Sequence, residues 1–205
     1  MTMTMAVRRI AAISLALAAT MVHAGGIDHR IAYDNSGIWN HNVELAVMDT
    51  MIVGEIGCGV WEGGQSLPGK TCWQAIDSSA VSAVFAQASK FIFTRSRPSQ
   101  TDNPSLWFQG SGNYSFPSGE VTAVTSIVTP FILQYGHDYP AIFALALLPV
   151  YSGVARIKER GHWQTDVLAA WALGGATGYW AYKRESPLIL SVLPHGVMVG
   201  LHKQF

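Results

Sequence analysis

Residues 156–174 of this 205-residue chain read RIKERGHWQTDVLAAWALG, and the fold is decided here. The first half is polar and carries Arg156, His162 and Asp166. The second half is uncharged and rich in Ala, Leu and Trp, and from Asp166 to about Tyr182 it predicts a buried or half-buried helix. A cluster of chemically able side chains therefore runs straight into a core helix.

Upstream the pattern stays helical. Ser118 starts a helix that runs through Val121 to about Gln134, with Pro130 inside it as a kink. Tyr139 to about Ala155 forms another, entered at Pro140 and bent near Pro149. These three helices have uncharged spans of about 15–17 residues, short of or at the edge of what a bilayer requires, and they suit a compact bundle equally well. From about Lys70 to Phe93, Trp73, Ile76, Ala80, Val84, Ala88 and Phe91 recur at steps of three and four and share one face. Ile38 to about Trp61, preceded by Asn35-Ser36, makes a further helix. Ser99 to Tyr114 is a polar loop with Gly, Pro and Asn, long enough to suggest function. Beyond the last helix, short apolar runs flank Pro194-His195-Gly196 and predict a β-hairpin over about 188–203. The expected fold is all-α: a compact bundle of about five to six helices with a short C-terminal β-hairpin.

Composition narrows the function. The chain is 49% hydrophobic and 13% charged, with 13 basic residues against 13 acidic. A neutral chain with so few cations is a poor general nucleic-acid binder. Mean hydropathy is +0.23, modest for a chain that crosses a bilayer many times. Arg8 and Arg9, the apolar run Ile10–Val22 and the small residues around Ala24 read as a signal peptide over residues 1–24, the alternative being an N-terminal anchor. The remaining 25–205 then form one exported domain, periplasmic and soluble or peripheral, with integral membrane insertion as the alternative. In an oxidising compartment Cys58 and Cys72 can pair across the Gly- and Pro-bearing stretch between them; two buried thiols are the alternative.

The residues able to do chemistry gather in three blocks, the first and third of them basic. The first runs from Lys90 to Arg97-Pro98, the second is Phe116-Pro117-Ser118-Gly119-Glu120, and the third runs from Arg156 through His162 to Asp166. Lys90, Arg97 and Arg156 supply cations, and arginine forks match phosphate oxygens. Ser118 and Gly119 open a helix and offer a hydroxyl and free N–H groups. His162 and Asp166 stand four apart, so on a helix the carboxylate can accept one ring N–H and leave the other nitrogen as base or nucleophile. Singly, each block has an ordinary explanation as surface charge, helix cap or local ion pair. Together they describe a pocket for a tetrahedral oxyanion.

In order and spacing the blocks resemble the type-2 phosphatidic acid phosphatase superfamily, which includes bacterial acid phosphatases, lipid phosphate phosphatases and vanadium haloperoxidases. That family's pattern is Lys-x6-Arg-Pro, then Pro-Ser-Gly-His, then Ser-Arg-x5-His-x3-Asp, and the match covers about Lys90 to Asp166 with the helix beyond. The resemblance implies an all-α fold and a phosphate site made of Lys90, Arg97, Ser118, Gly119 and Arg156. It implies His162 as the nucleophile that forms a phosphohistidine, held by Asp166, with no metal or cofactor. Two positions depart from the pattern. Ala155 replaces a serine, and Glu120 replaces the histidine that gives a proton to the leaving alcohol, which makes Glu120 the candidate acid. The expected activity is hydrolysis of phosphate or diphosphate monoesters, soluble or lipid. The rivals are a non-catalytic phosphate-binding pseudophosphatase and a vanadium-dependent haloperoxidase. His29, His41, His137, His195 and His202 have no partner at a telling spacing and read as structural. Trp107 and Phe108 either line a substrate entrance or pack under the loop.

Overall fold

The computed structural model describes residues 26–184, so the expected signal segment and terminal hairpin lie outside the described residues. Among the described residues the chain is helical and has no strand. A 3-10 turn, Gly37–Trp39, ends at Asn40, whose side chain accepts the N–H of Asn42 and caps α1, His41–Glu62. Ser66 caps α2, Leu67–Phe93, by accepting the Gly69 N–H at 3.0 Å. Ser118 precedes α3, Gly119–Tyr135, and this helix continues through Pro130. The single helix expected from Tyr139 divides into a 3-10 stretch, Pro140–Ala146, and α4, Leu147–Lys158. Pro149 thereby falls in the first turn of α4, where its missing N–H leaves no intrahelical acceptor unpaired. The last helix, α5, spans Gln164–Tyr182.

The central pair is α3 and α5; α2 packs on both, α1 lies along α2, and α4 leans on α3. The central pair touches almost backbone to backbone. A Cβ at Gly174 would stand 2.6 Å from the Thr122 carbonyl oxygen, and one at Gly178 would stand 2.4 Å from Thr129 Cβ. The helix faces that meet are small and polar. Ser78 Oγ donates to Thr177 Oγ1 at 3.3 Å and Ser82 Oγ to Ser126 Oγ at 3.2 Å. This corrects the expected face of α2: its buried side is Cys72, Ala75, Ser78, Ser82 and Ala86, whereas Val84 and Phe91 are exposed. Large apolar groups point outward elsewhere too, among them Val53, Val60 and Trp61 on α1 and Leu147 and Val150 on α4. Pro140–Lys158, 19 residues with mean hydropathy 1.6, is long and apolar enough to cross a membrane by length and composition.

Cys58 and Cys72 form a disulfide that ties α1 to α2 across the turn, with Cα atoms 5.9 Å apart. One turn before Cys58, Glu55 is only 5% exposed; its Oε1 accepts from Ser79 Oγ at 2.7 Å and its Oε2 has no partner. Burial pushes its pKa up to about 7, against the pull of the Ser79 hydrogen bond. The folded state therefore binds this proton more tightly than the unfolded chain. The stabilisation is complete below the unfolded value of 4.5 and is lost as pH rises through about 7. Stability measured from pH 4.5 to 8.5 should fall in the wild type by about 1–3 kcal/mol more than in Glu55→Gln. Parallel curves would show that this carboxyl does not titrate from a buried site.

Candidate active site

The three sequence blocks meet at one end of the bundle. The last turn of α2 supplies Lys90, and the chain leaves that helix through Thr94 in a left-handed conformation, φ 35°. That turn carries Arg97 back over the site. Lys90 Nζ donates to the Tyr114 carbonyl at 2.9 Å, and Arg97 donates to the carbonyls of Gly161 at 3.1 Å and Tyr114 at 3.4 Å. Ser118 enters with its N–H on the Asp166 carbonyl at 3.3 Å, and the Gly119 N–H that follows is the first of α3, without an intrahelical acceptor. Arg156 comes from the last turn of α4. A side chain at Gly161 would lie 2.9 Å from Arg156 Nη2, so the guanidinium occupies the space that this glycine leaves.

His162 is fully buried, and its neighbours differ from the expected ones. It precedes α5 rather than lying on it, and Nδ1 faces the Ser115 carbonyl at 2.6 Å. Asp166 Oδ2 is 3.8 Å from Nδ1, too far for the direct hydrogen bond that the spacing of four suggests. Asp166 instead accepts from Ser115 Oγ at 2.5 Å, from the Trp163 N–H at 2.9 Å and from Arg95 Nη1 at 2.5 Å. It fixes the peptide that holds the ring. Burial would raise the Asp166 carboxyl's pKa, but His162, the charge of Arg95 and the Ser115 hydroxyl outweigh it and keep the group below its ordinary value.

Arg95 and Asp28 were not legible as site residues. The Arg95 side chain is 2% exposed and bridges Asp166 to Asp28, whose Oδ2 is 2.6 Å from Nη2. Its guanidinium carbon lies 4.3 Å from the centre of the Trp107 ring. Trp107 is thus a packing residue, clustered with Phe116 and Ala169, while Phe108 is exposed. His41 also has an unexpected place: its Nδ1 meets Arg156 Nη1, which also touches Glu159. Of the other described histidines, His29 caps an exposed turn through the Ile27 carbonyl and His137 sits exposed beside Asp138.

A cavity of about 380 Å³ opens onto Lys90, Arg97 and Glu120, with Leu45 and Met48 of α1 forming an apolar wall. Burial lowers the Lys90 ammonium's pKa to about 8, Arg97 and Arg156 adding to that effect and Glu120 and Asp166 resisting it. Glu120 lies between this cavity and the nucleophile candidate: Oε2 is 3.6 Å from His162 Nε2, and Oε1 is 3.4 Å from Arg156 Nη2. Burial would raise its carboxyl's pKa, yet contact with His162 and the charge of Arg156 prevail and hold it well below the carboxylate range. Three buried polar atoms in the blocks have no hydrogen-bond partner: Ser118 Oγ, Arg156 Nε and His162 Nε2. Such atoms are costly unless something fills the space between them.

The profile of the PAP2 superfamily matches residues 72–188, more than half the chain and all three blocks. The chain belongs to the PAP2 superfamily. Among PAP2 proteins it is 34% identical over 98 residues to a lipid A 1-phosphatase of Porphyromonas gingivalis, covering 45% of this chain and 20% of that one. It is 29% identical over 111 residues to an undecaprenyl-diphosphatase of Sulfolobus acidocaldarius, covering 53% of this chain and 52% of that one. The chain thus aligns with about half, or less, of the length of these curated relatives. No solved structure matches it.

Removing Arg95 would leave two buried carboxylates facing one another. Arg95→Met should cost about 3–5 kcal/mol in urea unfolding, the usual effect of stripping one partner from a buried ion pair. Arg95→Lys should cost less, because one ammonium retains the charge but cannot reach both acids with a planar fork. Wild-type stability in Arg95→Met would mean that the Asp28–Arg95–Asp166 bridge does not form.

Proposed function

We propose that this PAP2 protein is a metal-independent phosphatase that hydrolyses phosphate or diphosphate monoesters through a phosphohistidine on His162. The observation that carries this reading is the set of unpartnered atoms. A tetrahedral phosphate offers acceptors to Ser118 Oγ and Arg156 Nε and an electrophilic phosphorus to His162 Nε2. Lys90, Arg97 and Gly119 line the adjacent cavity, joined to His162 and Arg156 through Glu120, and bring the charge that the dianion requires.

The steps follow from the hydrogen bonds. With its Nδ1 proton on the Ser115 carbonyl, His162 has a lone pair on Nε2. That pair attacks phosphorus as the bond to the ester oxygen breaks, and the leaving oxygen takes a proton from Glu120. Water then attacks the phosphohistidine, gives its proton back to Glu120 and releases phosphate. In the resting site Glu120 is ionised. A phosphate dianion entering among the same cations cancels the field that keeps it so, and Glu120 becomes the acid in the substrate complex. The enzyme should therefore have an acidic optimum.

A lipid phosphate suits the surroundings. The relatives are named for lipid A phosphate and undecaprenyl diphosphate, Leu45 and Met48 give the cavity one apolar wall, and the outer faces of α1 and α4 expose Val53, Val60, Trp61 and Leu147. We place the enzyme outside the cytoplasm, at a membrane surface or anchored in it. The pseudophosphatase remains a rival on one specific observation: Glu120 already fills part of the anion site.

His162→Ala should abolish turnover of p-nitrophenyl phosphate and of a phosphatidate while leaving the helical circular dichroism unchanged. Glu120→Gln should slow alkyl esters by about 10²–10⁴-fold and nitrophenyl esters far less, since nitrophenolate leaves without a proton. Equal losses on both would remove Glu120 from the acid role. Orthovanadate should inhibit competitively and EDTA should not inhibit. A metal-rescued loss in EDTA would overturn the mechanism, and binding of phosphate with no hydrolysis of any ester would favour the pseudophosphatase.

A further inference from the structure

We propose that His41 is a positioning residue for Arg156: its imidazole accepts from one terminal nitrogen and holds the guanidinium toward the phosphate site. The proposal rests on the anion site described above. The Arg156 side chain is 3% exposed, and its two terminal nitrogens are divided between two tasks. Nη2 faces Glu120 and the site at 3.4 Å, whereas Nη1 meets Glu159 Oε1 and His41 Nδ1. Arginine keeps its charge and offers only donors. The ring nitrogen facing Nη1 must therefore be the acceptor, and the proton of a neutral His41 must sit on Nε2.

The ring reaches this position from a distant part of the chain. His41 opens α1, its backbone N–H fixed by Asn35 Oδ1 at 2.7 Å. Leu45 and Met48, farther along the same helix, wall the cavity, so the start of α1 belongs to the site. Tyr151 of α4 ties the approach to α1 down by donating to the Ile38 carbonyl at 2.6 Å.

Two carboxylates flank the ring: Glu159 Oε2 at 3.4 Å and Glu44 Oε2 at 3.9 Å. Glu44 is 1% exposed, with Oε1 on the Ser152 hydroxyl and Oε2 unpartnered. Burial raises its pKa to about 7, with Glu120 and Glu159 adding to the rise and Ser152 and Arg156 opposing it. The His41 ring thus stands between these acids and the Arg156 guanidinium and shares Nη1 with Glu159.

The test uses sulfate, a stable dianion, and the full chain as wild type, His41→Ala and His41→Gln. Glutamine supplies a neutral acceptor in place of the ring nitrogen. Calorimetry at pH 8 should show sulfate binding weakened about 3–10-fold in His41→Ala and within about twofold of wild type in His41→Gln. Equal binding by wild type and His41→Ala, or no recovery of binding in His41→Gln, would overturn the proposal while leaving the phosphatase reading intact. Absence of sulfate binding in the wild type would overturn both.

Discussion

One guanidinium, that of Arg95, lies between two buried carboxylates, Asp28 and Asp166, and the geometry of the active site follows from it. Asp166 alone would be an unpaired charge in the core at the start of α5. Paired with Arg95, it can stay ionised and use its other oxygen to hold Ser115 Oγ and the Trp163 N–H. Those two contacts fix the segment before α3 and the turn before α5. The Ser115 carbonyl can then meet His162 Nδ1, leaving Nε2 turned toward Glu120. Asp28 completes the arrangement from outside the helices, accepting also the N–H of Thr165 at 2.8 Å. A buried triad of this kind contributes little net stability. What it supplies is a single orientation for His162.

Much of this was legible in the sequence, for identifiable reasons. Helices α2, α3 and α5 were found within a few residues because uninterrupted apolar or small-residue runs end at Ser, Gly or Pro. Lys90, Arg97, Ser118, Gly119, Arg156 and His162 stand in three blocks with specific internal spacing, and the structure brings those blocks to one end of the bundle. What escaped the sequence depends on contacts between distant segments. Arg95 stands inside the first block, yet nothing local shows that it turns into the core toward Asp28, 67 residues earlier. His41 meets Arg156 across 115 residues. The direct His162–Asp166 bond was inferred from a spacing that makes neighbours only on a helix, and α5 begins after His162. The buried face of α2 was misassigned because apolar periodicity finds a water-soluble core. The buried face of α2 carries Thr71, Cys72, Ala75, Ser78, Ser82 and Ala86, while Val84 and Phe91 on the same helix face out.

That distribution joins the fold to the chemistry. Small residues let α3 and α5 approach closely enough for Ser118 and the Asp166 carbonyl to touch, which puts the N-terminus of α3 against the turn bearing His162. An outward apolar surface and an apolar wall at Leu45 and Met48 leave the charged groups at one end of the bundle. Glu120 is the point where this chain departs from the pattern of its family. Its carboxylate rests between Arg156 and His162, a counter-anion where the family pattern has a histidine.

The central claim is that His162 makes a covalent bond to phosphorus, and rapid quench with ³²P-labelled substrate tests it most directly. The account predicts an alkali-stable, acid-labile label that appears within the first turnover and maps by mass spectrometry to His162. A label on any other residue, or full turnover with no label trapped at any quench time, would contradict it.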